Sequence, residues 1–470
     1  MVNLSQNSTD PRSRVVGSRG VLVIVCAGVV LASLDLFIVN VALPRIARSL
    51  ASSNLSSLSW VLNGYAIVYA SLLVYFGRLA DRFARDRAFL VGVAVFTIAS
   101  AACAASNSVA MLVAFRLIQA AGAALLTPTS LSLVLATTES ERRGAAVRAW
   151  TAVGGASAAL GPVIGGFLVA INWRWVFLVN VPVGVAAFVA GALYLPRVEG
   201  HGGELPDWRG ALLVTSGVAT LTLGFVESNS WSPWSIVVTV LAASVMLGLF
   251  VVNCLRSSRP LVPTALFRSR PFVVASVVGL LFSIAFAAML LSRSLWEQDV
   301  WRWSALKTGL SIAPGPLMVP LVAFLLTGRL IKRYGPGWVM AMGSVAFAGG
   351  VGWWAETIAT RPNYVGGVLG GMILSGLGVG LTLPTVMSTA SSSLASHAYA
   401  TGSAVINMIR QTGLALGVAI LIAVLGSPSR SASVELSDFR RGWWVTMVLA
   451  LASALSALLL PRSSTRGART

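Results

Sequence analysis

Asp35 stands in the middle of LASLDLFIVNVALP (residues 31–44), an otherwise apolar stretch. An acid deep in hydrocarbon costs about 2.5 to 3.5 kcal/mol on insertion scales, so this one needs a partner or a task. Arg116, in RLIQAAGAALLTP (116–128), and Arg410, in NMIRQTG (407–413), sit in equally apolar surroundings. A guanidinium does not readily shed its proton, so each must face a wet cavity or an anion. Arg116 and Gln119 are three residues apart, and Asn407, Arg410 and Gln411 are spaced i, i+3, i+4, so each set forms one polar helix face. Asn40, Asn63 and the i, i+4 pair Tyr65 and Tyr69 are further polar candidates for a cavity lining. The chemistry on offer is proton exchange. A neighbouring arginine favours an ionised acid and desolvation favours a protonated one, so a cavity that opens and closes can switch Asp35 between forms. The competing reading is a fixed ion pair tying two helices together.

Other chemistries find no support. There is no H-E-x-x-H and no G-x-x-x-x-G-K-[ST], and His201 and His397 stand outside the apolar centres. Cys26, Cys103 and Cys254 are isolated inside apolar segments, without metal-ligand or disulfide spacing. No enzymatic centre, metal site or cofactor is expected. With no nucleotide-binding loop, the energy source is expected to be a proton gradient.

The elements that carry these residues are membrane helices. Of 470 residues, 56% are hydrophobic and 10% charged, a balance that excludes a soluble domain of this size. The net charge of +19 lies in short arginine clusters between apolar runs, which reads as topology and not as a nucleic-acid surface. At about twenty residues per crossing the chain divides into fourteen spans: 20–43, 59–80, 88–107, 109–136, 145–171, 174–196, 208–228, 234–256, 271–292, 306–329, 337–357, 364–388, 399–426 and 442–461. The densest basic clusters, GRLADRFARDR (77–87), ESERRGAAVR (139–148), RSSRPLVPTALFRSR (256–270) and GRLIKRYGPG (328–337), then share one side. Both termini are therefore expected in the cytoplasm. Glu227 and Glu356 fall at outer span ends. Glu297 and Asp299 fall in the outer loop WEQDVWRWSALK (296–307), where an exposed mouth accounts for them.

The chain repeats itself. Gly-Arg-Leu followed by a basic turn closes the second and tenth spans, and AGAALLTP (121–128) in the fourth matches LGVGLTLP (377–384) in the twelfth. Parallel repeats of this kind point to a transporter with its site between two halves. The expected organisation is an N-terminal tail (1–19), a six-helix bundle (20–196), linkers with two inserted helices (197–270), a second six-helix bundle (271–461) and a C-terminal tail (462–470).

Four motifs make the chain resemble the major facilitator superfamily, in its fourteen-span drug/proton antiporter branch. LDLFIVNVALP (34–44) resembles that branch's first-span motif, GRLADRFARDRAFL (77–90) the loop after the second span, and RLIQAAGAAL (116–125) the fourth-span arginine motif. GASAALGPVIGG (155–166), continuing into WRWVFLVNVPVG (173–184), resembles the fifth-span antiporter motif. Ala84 and Asp86 depart from the loop pattern, which usually has glycine and a basic residue there. The resemblance implies an all-α polytopic membrane protein with two six-helix bundles and two inserted helices. It implies a proton-coupled antiporter, a monomer in the cytoplasmic membrane, whose partners are protons, a small amphipathic drug or antibiotic, and the lipid bilayer. Asp35 and Arg116 would couple protons, and Asn40, Asn63, Tyr65, Tyr69, Gln119, Asn407, Arg410 and Gln411 would line the cavity. Gly77, Asp81, Arg82 and Arg85 would latch the halves, while Gly161, Pro162, Gly165 and Gly166 would kink and seal the fifth span. Export of one endogenous metabolite or lipid, and a receptor that moves nothing, are the alternative readings.

Overall fold

The computed structural model describes residues 18–50, 55–82, 84–199, 206–394, 399–426 and 432–460. Among them every regular element is a helix. Away from water, a backbone amide in a long apolar run can be satisfied only within its own segment, and a helix does this. In chain order the helices are α1 (Ser18–Ser49), α2 (Leu55–Arg82), α3 (Arg85–Ala105), α4 (Val109–Thr137), α5 (Ser140–Ile171), α6 (Trp175–Leu178), α7 (Asn180–Tyr194), α8 (Trp208–Val226) and α9 (Pro233–Arg256). There follow α10 (Arg270–Leu295), α11 (Ala305–Ile312), α12 (Pro314–Val322), α13 (Gly328–Tyr334), α14 (Pro336–Thr357), α15 (Gly370–Ser392), α16 (Tyr399–Leu425) and α17 (Ala432–Ala457). Wider π-helical turns at Trp296–Val300, Ala323–Thr327 and Val365–Leu369 extend α10, join α12 to α13 and lead into α15.

Eleven stretches among the described residues are long and apolar enough to cross a membrane. α5, α14 and α17, of 32, 22 and 26 residues, lie outside that set and pack among the others. The surface is consistent with a lipid environment: Val237, Val238, Leu241, Val245 and Leu249 of α9 are all exposed, a stripe that water would not tolerate on a monomer.

One expected boundary moves. The ninth span was expected to end at residue 292, with Glu297 in an outer loop, but the helix continues through Leu295 into the π turn. Arg293 and Glu297 lie four apart on that helix and pair with each other, which cancels the charge that suggested an end. Arg293 is thus a third arginine inside the spans, beside Arg116 and Arg410.

Packing repeats along the chain. α3 packs on α4 as α14 packs on α15, and α1 packs on α5 as α10 packs on α16. Small residues set the approach. A Cβ at Gly161 or Gly165 of α5 would fall 2.9 Å from Phe37 or Ile38 of α1, and one at Gly413 of α16 would fall 2.7 Å from the Leu280 carbonyl of α10. Helices early in the chain also meet later ones, through α2 against α16, α1 against α10 and α5 against α11, while α8 rests on both α2 and α16. We call the end where α1 begins the near end and the end where it finishes, at Ser49, the far end.

Candidate functional site

Asp35 is completely buried, and its surroundings come from four elements. From α4, Arg116 Nη1 donates to Asp35 Oδ2, and Gln119 Nε2 donates to Oδ1 at 2.9 Å. From the start of α7, Asn180 Nδ2 donates to the same Oδ1 at 3.0 Å. Behind them Gln119 is held on both sides: Arg116 Nη1 donates to its Oε1 at 2.7 Å, and its Nε2 reaches Ser100 Oγ of α3 at 2.7 Å. Arg116 is further fixed by its Nε, which donates to the Val61 carbonyl of α2 at 3.2 Å. Its guanidinium stacks 4.0 Å over the Tyr65 ring. Every group touching Asp35 is a donor, so this arrangement suits a carboxylate and offers a protonated acid no acceptor. Both charges are buried, and neither can be left alone there without a cost of several kcal/mol.

The expected contact between Asp35 and Arg116 is therefore present in the structure. Gln119, expected in the cavity lining, is instead committed to Asp35. Asn180 was missed: it stands inside the WRWVFLVNVPVG motif, and nothing in its spacing distinguishes it from a cap residue at a helix start.

Beside this cluster runs a narrow cleft between the two sets of helices. It is lined by Phe37 and Asn40 of α1, Asn63 of α2, Arg116, Phe286 and Leu290 of α10 and Leu414 of α16, among others. Its space, about 30 Å³, holds a water or two and no drug-sized molecule. Toward the near end Tyr65 and Tyr69 stack with ring centres 5.9 Å apart, and Tyr69 donates to Thr127 Oγ1 at 3.2 Å. On the facing helix Arg410 reaches Asn407 Oδ1 at 3.4 Å, and Gln411 is its neighbour. Asn63 Oδ1, Tyr65 Oη and Gln411 Oε1 are buried without a hydrogen-bond partner.

Several contacts close the far end. Gln298 Nε2, on the π turn after α10, donates to the Val41 carbonyl of α1 at 3.0 Å, and Arg48 lies 3.7 Å from Asp299. The glycines of GPVIGG (161–166) serve two sides of α5: Gly161 and Gly165 face α1, whereas a Cβ at Gly166 would fall 2.6 Å from the Ala305 carbonyl of α11. A Cβ at Gly309 of the same α11 would collide with the Pro162 carbonyl, which leaves no room for a side chain there. A second buried ion pair stabilises this region. Glu297 accepts from Arg293 and from Ser311 of α11, and Arg293 lies over the Trp354 ring at 5.1 Å. By contrast, Glu356 is exposed and Glu227 holds the Ser230 hydroxyl at a helix end, the peripheral positions expected for both.

At the near end a Cβ at Gly77 would meet Pro128 of α4 at 3.4 Å, ordinary van der Waals distance. The side chain of Asp81 lies outside the described residues. Arg82 and Arg85 are partly buried, and the Arg85 backbone N–H donates to the Val198 carbonyl at 2.9 Å. Asp86, the departure from the loop motif, accepts from the Val198 N–H at 3.2 Å. The loop is thereby stitched to the strand of chain leaving α7. The neighbouring Arg78 donates to the Pro260 carbonyl at 2.5 Å, tying α2 to the segment that follows α9.

A family model for the Major Facilitator Superfamily matches residues 25–418. The chain belongs to the major facilitator superfamily. As a superfamily member it is a multi-pass membrane transporter by family. It is 32% identical over 463 residues to the cephamycin export protein CmcT of Amycolatopsis lactamdurans, covering 97% of this chain and 95% of that one. It is 34% identical to the methylenomycin A resistance protein of Bacillus subtilis strain 168, over 85% of this chain and 86% of that one. It is 33% identical to the tetracenomycin C resistance and export protein of Streptomyces glaucescens, over 86% and 74%. Among solved structures a POT family transporter in complex with a thioalcohol-conjugated peptide shares the fold, with a TM-score of 0.68 over 93% of this facilitator and 95% of that chain at 16% identity.

Proposed function

We propose that this facilitator is a proton-coupled antiporter that exports amphipathic drugs or antibiotics across the cytoplasmic membrane by alternating access. The observation that carries the reading is the buried Asp35–Arg116 pair set directly beside a cleft between the two halves. The printed names of its relatives, resistance and export proteins for three different antibiotics, support export as the direction.

In this reading the eleven apolar stretches together with α5, α14 and α17 make fourteen crossings, arranged as two six-helix bundles with α8 and α9 inserted. The near end, rich in arginine, faces the cytoplasm together with both termini. The described arrangement is the state closed toward the outside, held by Gln298, the Arg48–Asp299 pair and the glycine face of α5. Asp35 is ionised and paired while substrate occupies the cleft lined by Asn40, Asn63, Tyr65, Tyr69, Asn407, Arg410 and Gln411. Gly77, Asp81, Arg82 and Arg85 form the latch that holds the near end once the far end opens. Water then reaches Asp35, the acid takes a proton from outside and substrate leaves. Return to the inward state re-forms the pair with Arg116 and expels the proton into the cytoplasm. Each charge moved through 100 mV contributes about 2.3 kcal/mol, so one or two protons suffice for substantial efflux.

The test is substrate-driven proton movement in vesicles reconstituted with the full chain as monomers. Drug movement that ignores an imposed pH gradient would overturn the coupling.

A further inference from the structure

Among the charges of the central cleft, one lacks a counter-ion. Arg116 is neutralised by Asp35, and Arg293 by Glu297. Arg410 has neither. Among the described residues no carboxylate acts on it, and the one titratable neighbour that does is the phenol of Tyr69 on α2. Among the described residues its single hydrogen bond is the long one to Asn407, and its Nε is buried without a partner while the side chain as a whole keeps accessible surface. It stands one helical turn from Leu414, which lines the cleft, and its Cγ passes 3.6 Å from where a side chain would begin at Gly279 of α10.

A buried guanidinium with unspent donors is a binding element for a planar anion, which it can grip with two parallel N–H bonds. Leu414, one turn away, belongs to an apolar cleft wall with Phe37, Phe286 and Leu290, and the unpartnered acceptors of Gln411, next to Arg410 on α16, and of Asn63 in the cleft wall can take donors from a ligand. We propose that Arg410 recognises a carboxylate on the exported molecule, so that the substrates of this transporter are acidic or zwitterionic amphiphiles. This rests on the reading above that the cleft carries substrate. A cation brought to the same place would meet an uncompensated positive charge and no acid to offset it.

Equilibrium binding separates the assignment from transport. The full chain in detergent is titrated with dansylglycine, with its primary amide, and with a dansyl amine that carries a positive charge, and dansyl fluorescence is read. The carboxylate is expected to bind at least about tenfold more tightly than the amide, a difference of about 1.4 kcal/mol, and the cation most weakly. Arg410→Gln is expected to bring the carboxylate-to-amide ratio to within about twofold of one, with amide affinity unchanged as the sign of a folded protein. Arg410→Lys, which keeps the charge but not the fork, is expected to retain part of the preference. A carboxylate that binds no better than the amide, or a preference that survives Arg410→Gln, overturns the proposal. If the preference behaves as expected while no probe moves with a pH gradient in vesicles, the antiport reading fails and the anion site stands.

Discussion

Replacing Asp35 by asparagine removes one unit of charge and almost no volume, and the consequence follows from the donors around it. Three donors, from Arg116, Gln119 and Asn180, converge on the carboxylate, and asparagine presents only one acceptor oxygen with an N–H2 group in place of the other. Arg116 then stays fully buried with no anion, and breaking a buried pair in this way typically costs about 3 to 5 kcal/mol. Removing both charges, in Asp35→Asn/Arg116→Gln, relieves that penalty, and the double variant is expected to recover most of the loss. A double-mutant cycle on chemical unfolding in mixed micelles should therefore give a coupling of about 2 to 3 kcal/mol, at the upper end of what contacting residues show. In vesicles Asp35→Asn is expected to abolish uphill drug accumulation driven by a pH gradient while equilibrium exchange of drug across the membrane continues. Two results would refute the reasoning: a coupling energy below about 0.5 kcal/mol, the range found for independent sites, or uphill accumulation by Asp35→Asn that still follows the pH gradient.

Other outcomes can be checked alongside. Glu297→Gln should destabilise the protein by about 3 to 5 kcal/mol because Arg293 is left charged and buried, whereas Arg293→Met/Glu297→Leu should recover most of this, measured by the same unfolding assay. Gly166→Val and Gly309→Leu insert side chains against backbone carbonyls at the contact of α5 and α11. Both should pry open the far end, seen as faster passive proton leak in vesicles and faster labelling of a cysteine placed in the cleft. Arg78→Ala removes a charged hydrogen bond to the Pro260 carbonyl, about 1.5 to 3 kcal/mol, and should speed proteolytic cutting of residues 256–263 severalfold.

Much of the core chemistry was legible because membrane insertion makes it so. An acid and an arginine inside apolar runs each require a partner, and the family resemblance, in which the first and fourth spans line one cavity, made Arg116 the candidate for Asp35. Gln119 followed from helix periodicity, though not the direction in which it is spent. The reasoning failed where charges cancel locally. Glu297 was placed in an outer loop because its charge was counted alone, while as the i, i+4 partner of Arg293 it continues the helix and stays buried. Asn180 escaped for a different reason. A lone asparagine at the start of a helix is an ordinary cap, and only the approach of α7 to α1 turns it into a third ligand of Asp35.

The residues alone determined the class of molecule, an all-helical membrane protein, and the demand that a buried acid find a partner or a task. Those follow from hydropathy and from the price of charge in lipid, which act residue by residue. Only the tertiary structure decided which carboxylates end up committed and which cation is left over. It set Gly166 and Pro162 of α5 against α11, placed Gln298 on the Val41 carbonyl, gave Arg293 to Glu297 and, among the described residues, left Arg410 with Asn407 alone as a hydrogen-bond partner. Such assignments depend on distances between helices far apart in the chain, and hydropathy carries no information about those distances.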